Sequence, residues 1–289
     1  MADGAEQIHE STAVTDVRHP LIAGDGISVI IPVFNHAGGI GKTVAALREE
    51  LRPLTPQLEF IIVDDGSTDG TAVAAARLCT AATDVRLLRN RGNLGKGLAV
   101  YVGLLAARYP NVCFTDADLP FSPGSYARVL QRILLGHPFS VASRRMPDSE
   151  ILVRMEVLGY AARRHLIGVA FNYMVRTCLG LQCRDTQCGL KAFDRQVGME
   201  LLCRVRSSRF LFDIELFLAA RDAGIPVDEV PVCIVYNDFK SSVKLAADST
   251  RMLLGLIAIC ARYRLGRYRS PNPAMAPDAV RNWAQEVHL

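Results

Sequence analysis

The sequence predicts an α/β fold, a mostly parallel sheet covered by helices on both faces. Three observations predict it. Apolar runs of strand length alternate with helix-length segments through residues 27–143. The runs are continuous rather than alternating, as strands buried on both faces must be. Charged or glycine-rich turns follow several of them, and in such sheets ligands bind at the carboxyl ends of the strands.

Ile27 to Phe34 is a β-branched run ending at Asn35, and Lys42 to Leu51 has helical spacing. Leu58 to Val63 is a second buried strand, and Thr68 to Cys79 is Ala-rich and helical. Val85 to Leu88 predicts a short strand, Gly97 to Arg108 a helix, and Val112 to Thr115 a fourth strand. A helix over Ser125 to Leu135 and a strand over Phe139 to Ser143 follow. Ile151 to Leu179 has no proline and mixes Arg154, Arg163, Arg164, His165 and Arg176 with apolar residues, which predicts one long amphipathic helix or two in tandem. Gln187 to Phe193 predicts a strand, Asp213 to Arg221 a helix, and Val227 to Val235 a last strand interrupted by Pro231. Ser242 to Arg262 reads as another amphipathic helix. The expected organisation is a polar leader (1–26), one domain (27–268) and a loosely held, proline-bearing tail (269–289).

At 289 residues, half of them hydrophobic, the chain is long enough for a large globular domain. A net charge of +4 without a basic tract interleaved with aromatics argues against nucleic-acid binding. The eight cysteines form no Cys-x-x-Cys pair and mostly sit in apolar runs, so they are expected to be reduced thiols of a cytoplasmic protein. The longest uncharged apolar stretch of the C-terminal half, Met252 to Ala261, is half the ~20 residues of a spanning helix.

The fourth strand delivers two acids in Asp116-Ala117-Asp118. Alternation along a strand points them the same way, with Ala117 facing away. Like charges this close repel unless a cation separates them, and a divalent metal that also holds a phosphate suits the pair. The other reading is an acidic turn. After the second strand come Asp64-Asp65-Gly66-Ser67; a strand-to-helix turn needs one of these acids, leaving one to accept a hydrogen bond from uracil N3–H. After the third strand, Arg89 to Gly97 places Lys96 among three glycines at a helix start, either an anion cradle or a flexible basic loop. Gly38-Gly39-Ile40-Gly41-Lys42-Thr43 resembles a P-loop of an ATPase, but His36 stands where its first glycine belongs. A glycine-rich turn with Lys42 on a solvated helix face is the other reading.

Ile30-Ile31-Pro32-Val33-Phe34-Asn35, the Asp64–Ser67 turn, Asn93-Leu94-Gly95-Lys96-Gly97 and Asp116-Ala117-Asp118 occur in that order within about 90 residues. Together they resemble the GT-A nucleotide-sugar glycosyltransferases of family 2. Arg184 to Phe193, Arg209 to Leu216 and Lys240-Ser241-Ser242-Val243-Lys244 are similar to its polyprenyl-phosphate branch, dolichyl-phosphate glucosyltransferases first and mannosyltransferases next. The resemblance implies a Rossmann-like GT-A sheet and an inverting transfer of a hexose from a nucleotide-diphosphate sugar, UDP-glucose or similar, to a polyprenyl phosphate.

It further implies that Pro32, Phe34, Asp64 and Asp65 hold the nucleoside and that Lys96 serves the phosphates. Asp116 and Asp118, with Ala117 between them, would bind Mg or Mn. Ser143, Arg144 and Arg145 would stand at the sugar and phosphate site. Gln187, Cys188, Gly189 and Lys191 would line the acceptor side, and Arg209, Asp213 and Glu215 the floor. A phosphate acceptor is already an anion and needs no base; a hydroxyl of a small metabolite or saccharide would need one, and Asp213 or Glu215 is the candidate. Lys191 is alternatively an edge-protecting charge. The basic stretch 151–179 and the cluster Arg262, Tyr263, Arg264, Arg267, Tyr268, Arg269 either lie on the inner face of a membrane or pack on the sheet.

Overall fold

The computed structural model of the protein describes residues 26–153, 155, 158–236, 245–281 and 283–287. Strands β1 (Ile27–Val33), β2 (Leu58–Asp64), β3 (Val85–Asn90), β4 (Asn111–Phe114) and β5 (Phe139–Ser143) alternate with helices α1 (Ile40–Leu51), α2 (Thr71–Ala81), α3 (Lys96–Ala106) and α4 (Ser125–Leu134). Then come β6 (Glu150–Val153), α5 (Leu158–Leu179), β7 (Lys191–Asp194), α6 (Arg195–Leu202) and α7 (Phe212–Asp222). β8 (Asp228–Pro231), β9 (Cys233–Tyr236), α8 (Leu245–Arg264), α9 (Pro277–Arg281) and β10 (Ala284–Glu286) complete the order.

The main sheet has eight strands in the order β10-β3-β2-β1-β4-β7-β5-β8, with β7 and β10 antiparallel to their neighbours. Alternate residues of β1 and β2 enter different cores. Ile30, Ile61 and Val63 pack with α3, α6, α7 and α8, while Val29, Ile31, Phe60 and Ile62 pack with α1, α2 and α4. Strand order reverses between β1 and β4, which opens a crevice at their carboxyl ends.

Pro32 lies in a central strand, which its missing N–H would ordinarily forbid. The carbonyl of Ile30 accepts from Thr115, on the β4 side, and that of Val33 accepts from Asp65, on the β2 side. By alternation the nitrogen of Pro32 faces β4, whose ladder with β1 has already ended at Phe114. No partner is lost there.

Several expectations are corrected. The stretch 151–179 is not all helix: Ile151–Val153 belong to β6, which pairs in parallel with β9. The predicted strand 227–235 divides at Val232, β8 joining the main sheet and β9 the small one. The strand predicted over 187–193 begins only at Lys191, and α6, capped by the Asp194 carboxylate on the amides of Gln196 and Val197, was not anticipated. The tail is held rather than loose. Asn272 donates to the carbonyls of Cys203 and Val205, Val280 is buried, and β10 pairs with β3. The leader up to residue 25 and Lys240–Lys244 lie outside the described residues.

Candidate active site

The acids Asp116 and Asp118 stand beyond the strand that carries them. β4 ends at Phe114, so strand alternation does not orient them as the sequence suggested. A tied turn does. The hydroxyl of Thr43 donates to the carbonyl of Ala117 at 2.5 Å, and Leu119 adopts φ 47°, a left-handed conformation few leucines occupy. The acids still meet. Burial and then the charge of Asp116 raise the pKa of Asp118 from its ordinary value.

Lys96, the first residue of α3, closes the group. Its Nζ lies 2.6 Å from Asp116 Oδ1. Burial lowers the affinity of this ammonium for its proton, but the charges of Asp116, Asp213 and Asp118 outweigh that, and its pKa is raised. A second lysine reaches Phe114: Lys191 Nζ contacts Asp213 Oδ1 at 2.5 Å and donates to the carbonyl of Cys188 at 2.7 Å. Each lysine nitrogen is 5.6 Å from the Phe114 ring centroid. β7 lies between β4 and β5, so Lys191 is an interior residue and not an edge-protecting charge.

Gly189 completes the pocket. A Cβ there would collide with the carboxylate of Asp116, so any larger residue would displace that side chain. Two hard-oxygen carboxylates in a cradle of this kind fit Mg or Mn. Among the described residues no third His, Cys, Asp or Glu joins them, so the remaining ligands would come from phosphate and water.

In the Asp64–Asp65 turn both acids hold the fold, yet one oxygen, Asp64 Oδ2, is buried without a hydrogen bond among the described residues. Asp64 Oδ1 accepts from the Ser67 amide at 2.9 Å, and its Oδ2 lies 3.2 Å from Arg89 Nε. Asp65 accepts from Asn90 Nδ2 at 2.8 Å and from the amides of Leu94 and Gly95 at 3.0 and 2.8 Å. The same bonds correct the anion cradle: the anion held by the amides before α3 is the protein's own Asp65. Gly97 N is likewise committed, to the carbonyl of Ser208 at 2.7 Å. Phe34 stands nearly half exposed at the tip of β1, beside Asn35, whose Oδ1 receives the Thr68 amide.

Asp213 and Glu215 part company. Residues two apart on a helix point to different faces, and Glu215 turns away from the acid pair. It accepts from the amides of Arg206 (2.7 Å) and Ser207 (2.6 Å), the Ser207 hydroxyl (2.9 Å) and Tyr268 Oη (2.7 Å), with Arg262 at 3.4 Å. It is an anchor for the 206–208 loop and not a base. Tyr268 is thereby buried, and Arg221 covers Tyr263 at 4.3 Å from its centroid, so the aromatic members of the C-terminal basic cluster face inward. Arg209 is exposed, its stem beside Gly95.

At the tip of β5, Arg144 is clamped by Asp185, which accepts from its backbone N, Nε and Nη2 at 3.1, 2.6 and 2.8 Å. Burial acts to raise the pKa of Asp185, but the charge and hydrogen bonds of Arg144 overcome it and hold it at about 2. Arg145 follows half-buried at the same tip, and Gln187 N also donates to Asp185. Cys188 is buried, its thiol pushed up to about 12 by that burial. Three supporting residues were missed by sequence reasoning. Glu229 accepts from the amides of Arg184 and Asp185, Asn172 holds Arg184 and Thr186, and His36 lies close enough to Asp118 to act on its charge. Only Asn172, a polar residue on the buried side of α5, left a trace in the sequence.

The P-loop reading fails on geometry. Lys42 is exposed on α1, and the Thr43 hydroxyl is committed to Ala117.

The family model for glycosyl transferase family 2 matches residues 28–198, from β1 into α6. The glycosyltransferase AglD of Haloferax volcanii is 30% identical over 237 residues, 81% of this chain and 36% of that protein. The dolichyl-phosphate beta-glucosyltransferase of Saccharomyces cerevisiae is 27% identical over 267 residues, 84% of this chain and 76% of that one. The chain thus spans little more than a third of the archaeal relative and three quarters of the yeast one. Its fold matches glucosyl-3-phosphoglycerate synthase of Mycobacterium tuberculosis, solved with Mn2+, UDP and glucosyl-3-phosphoglycerate, at a TM-score of 0.56 and 22% identity over 83% of this chain and 81% of that one. The acids at the β1–β4 crevice therefore sit in a shared GT-A framework, and the chain belongs to glycosyl transferase family 2.

Proposed function

We propose that the enzyme transfers a hexose, with inversion, from a nucleotide-diphosphate sugar to a polyprenyl phosphate. One observation carries the choice of acceptor: both carboxylates that the sequence offered as a base are committed. Glu215 is saturated with donors. Asp213 is paired with a wholly buried ammonium, and a proton on it would leave Lys191 without its counter-ion. A phosphate acceptor needs no base. Its oxygen attacks the anomeric carbon, the bond from that carbon to the diphosphate breaks, and the electron pair leaves with the nucleotide. The yeast relative's own name, dolichyl-phosphate beta-glucosyltransferase, supports the same class of acceptor.

Asp116 and Asp118 would hold Mg or Mn, which supplies positive charge to the leaving diphosphate. Lys96, beside Asp116, would serve the same phosphates, and Arg144, fixed by Asp185, would present its charge from β5. Phe34 offers its exposed ring to the nucleoside.

Among the described residues no helix is long and apolar enough to cross a membrane. The acceptor would instead be met by docking at a cytoplasmic membrane face. Leu166, Ile167 and Tyr173 on α5 and Leu253, Leu254 and Ile257 on α8 are exposed, and the two helices pack together.

Calorimetry with UDP- and GDP-sugars, with and without Mn, names the donor. Transfer is then compared between polyprenyl phosphate, the matching polyprenol and a small hydroxyl acceptor. Transfer to the phosphate alone supports the proposal; transfer to either hydroxyl and not to the phosphate overturns it. Flotation with anionic vesicles should be lost in Leu254→Asp/Ile257→Asp.

A further inference from the structure

We propose that Lys96 is a built-in counter-ion of the acid pair that changes partners when donor and divalent cation bind, so that the two bind cooperatively. This rests on the reading of Asp116 and Asp118 as the metal carboxylates.

The backbone around Lys96 is fixed by hydrogen bonds, whereas its ammonium is placed by an ion pair to Asp116. The amides of Leu94 and Gly95 are bound by Asp65, and Gly97 N by Ser208. Beyond Cα, a four-carbon stem runs past Phe114 and Phe212, ring centroids 5.6 and 5.9 Å from Nζ, to Asp116 Oδ1 at 2.6 Å. The two rings attract the charged head but fix no single direction for it, and a lysine head is a compact point charge on a flexible stem. Lys191 differs: it is wholly buried and bound to Asp213 and Cys188.

Charge then decides what binds. Asp116, Asp118 and Asp213 face Lys96 and Lys191, three carboxylates against two ammoniums. A divalent ion arriving alone must contend with Lys96 for Asp116 and leaves the group positive. A diphosphate arriving alone meets an excess of negative charge. Arriving together, the phosphate gives Lys96 a new partner and Asp116 is released to the ion. Each ligand removes the obstacle to the other, and by linkage the effect is reciprocal.

The test measures free Mn2+ by electron paramagnetic resonance, with and without UDP, on wild type, Lys96→Met, Lys96→Gln and Asp118→Asn. In wild type UDP should tighten Mn2+ about tenfold or more. Both Lys96 variants should bind Mn2+ alone about tenfold tighter than wild type, and the effect of UDP should shrink by a similar factor. Two variants of different polarity guard against a folding defect in one. Lys96 variants with unchanged or weaker Mn2+ binding, or with wild-type coupling, overturn the inference, and if Asp118→Asn still loses Mn2+ the metal site stands. Wild-type Mn2+ binding in Asp118→Asn would remove the metal site and this inference together.

Discussion

Lys191 Nζ and Asp213 Oδ1 are 2.5 Å apart in the interior, and no part of the lysine side chain reaches solvent. The pair joins a central strand to the first turn of α7 directly beneath the acids of the crevice. Removing one partner strands the other charge, which costs about 3–5 kcal/mol. Lys191→Met should therefore unfold at markedly lower urea concentration, and Lys191→Met/Asp213→Leu should recover part of the loss. A double variant whose loss equals the sum of the two single losses would show that the pair is not coupled.

Glu215 answers to stability and not to proton transfer. Glu215→Gln presents an amide nitrogen to donors that need an acceptor, at a cost of about 2 kcal/mol. Its melting temperature should fall while the pH dependence of kcat/KM keeps its wild-type shape. Loss of an ionisation from that profile would return Glu215 to the chemistry.

Gly189→Ala sets one methyl group against the carboxylate of Asp116. The expected outcome is at least a tenfold loss of Mn2+ affinity with a nearly unchanged melting temperature. Equal loss of both would mean that the glycine serves the backbone instead.

Asp185 gives a pH dependence with a definite sign. Its pKa is held at about 2 in the folded protein, below the value of about 3.9 expected when unfolded. The stabilisation is complete above the unfolded value and is lost as pH falls from about 4 towards 2. Asp185→Asn should be less stable than wild type at neutral pH, by on the order of 2 kcal/mol, and the gap should narrow through that acid window. A gap that stays constant from pH 6 to 3 in urea titrations would contradict the ion pair.

The first half of the fold was legible because its strands are buried on both faces. Phe139–Ser143 carries no charged residue and is buried throughout, and the predicted strand coincides with β5. The second half was not, since its strands are defined by distant partners. Ile151 joins a strand only because Ile234 pairs with it, and β10 has three residues and one neighbour. In the site, Asp116, Asp118 and Lys96 could be named from their motifs. The commitments of Asp65 and Glu215 could not. Their donors come from residues 90–95 in one case and from 206, 207, 262 and 268 in the other, and no local pattern announces them.

The Glu215–Tyr268 bond also sets an order of events in synthesis. The carboxylate and the loop it grips leave the ribosome some fifty residues ahead of the phenol that completes their network. Until Tyr268 emerges, Glu215 is a charge awaiting burial, and the loop whose Ser208 carbonyl receives the start of α3 is held from one side only. The loop beside the acid pair thus completes its network only through a residue made some fifty positions later.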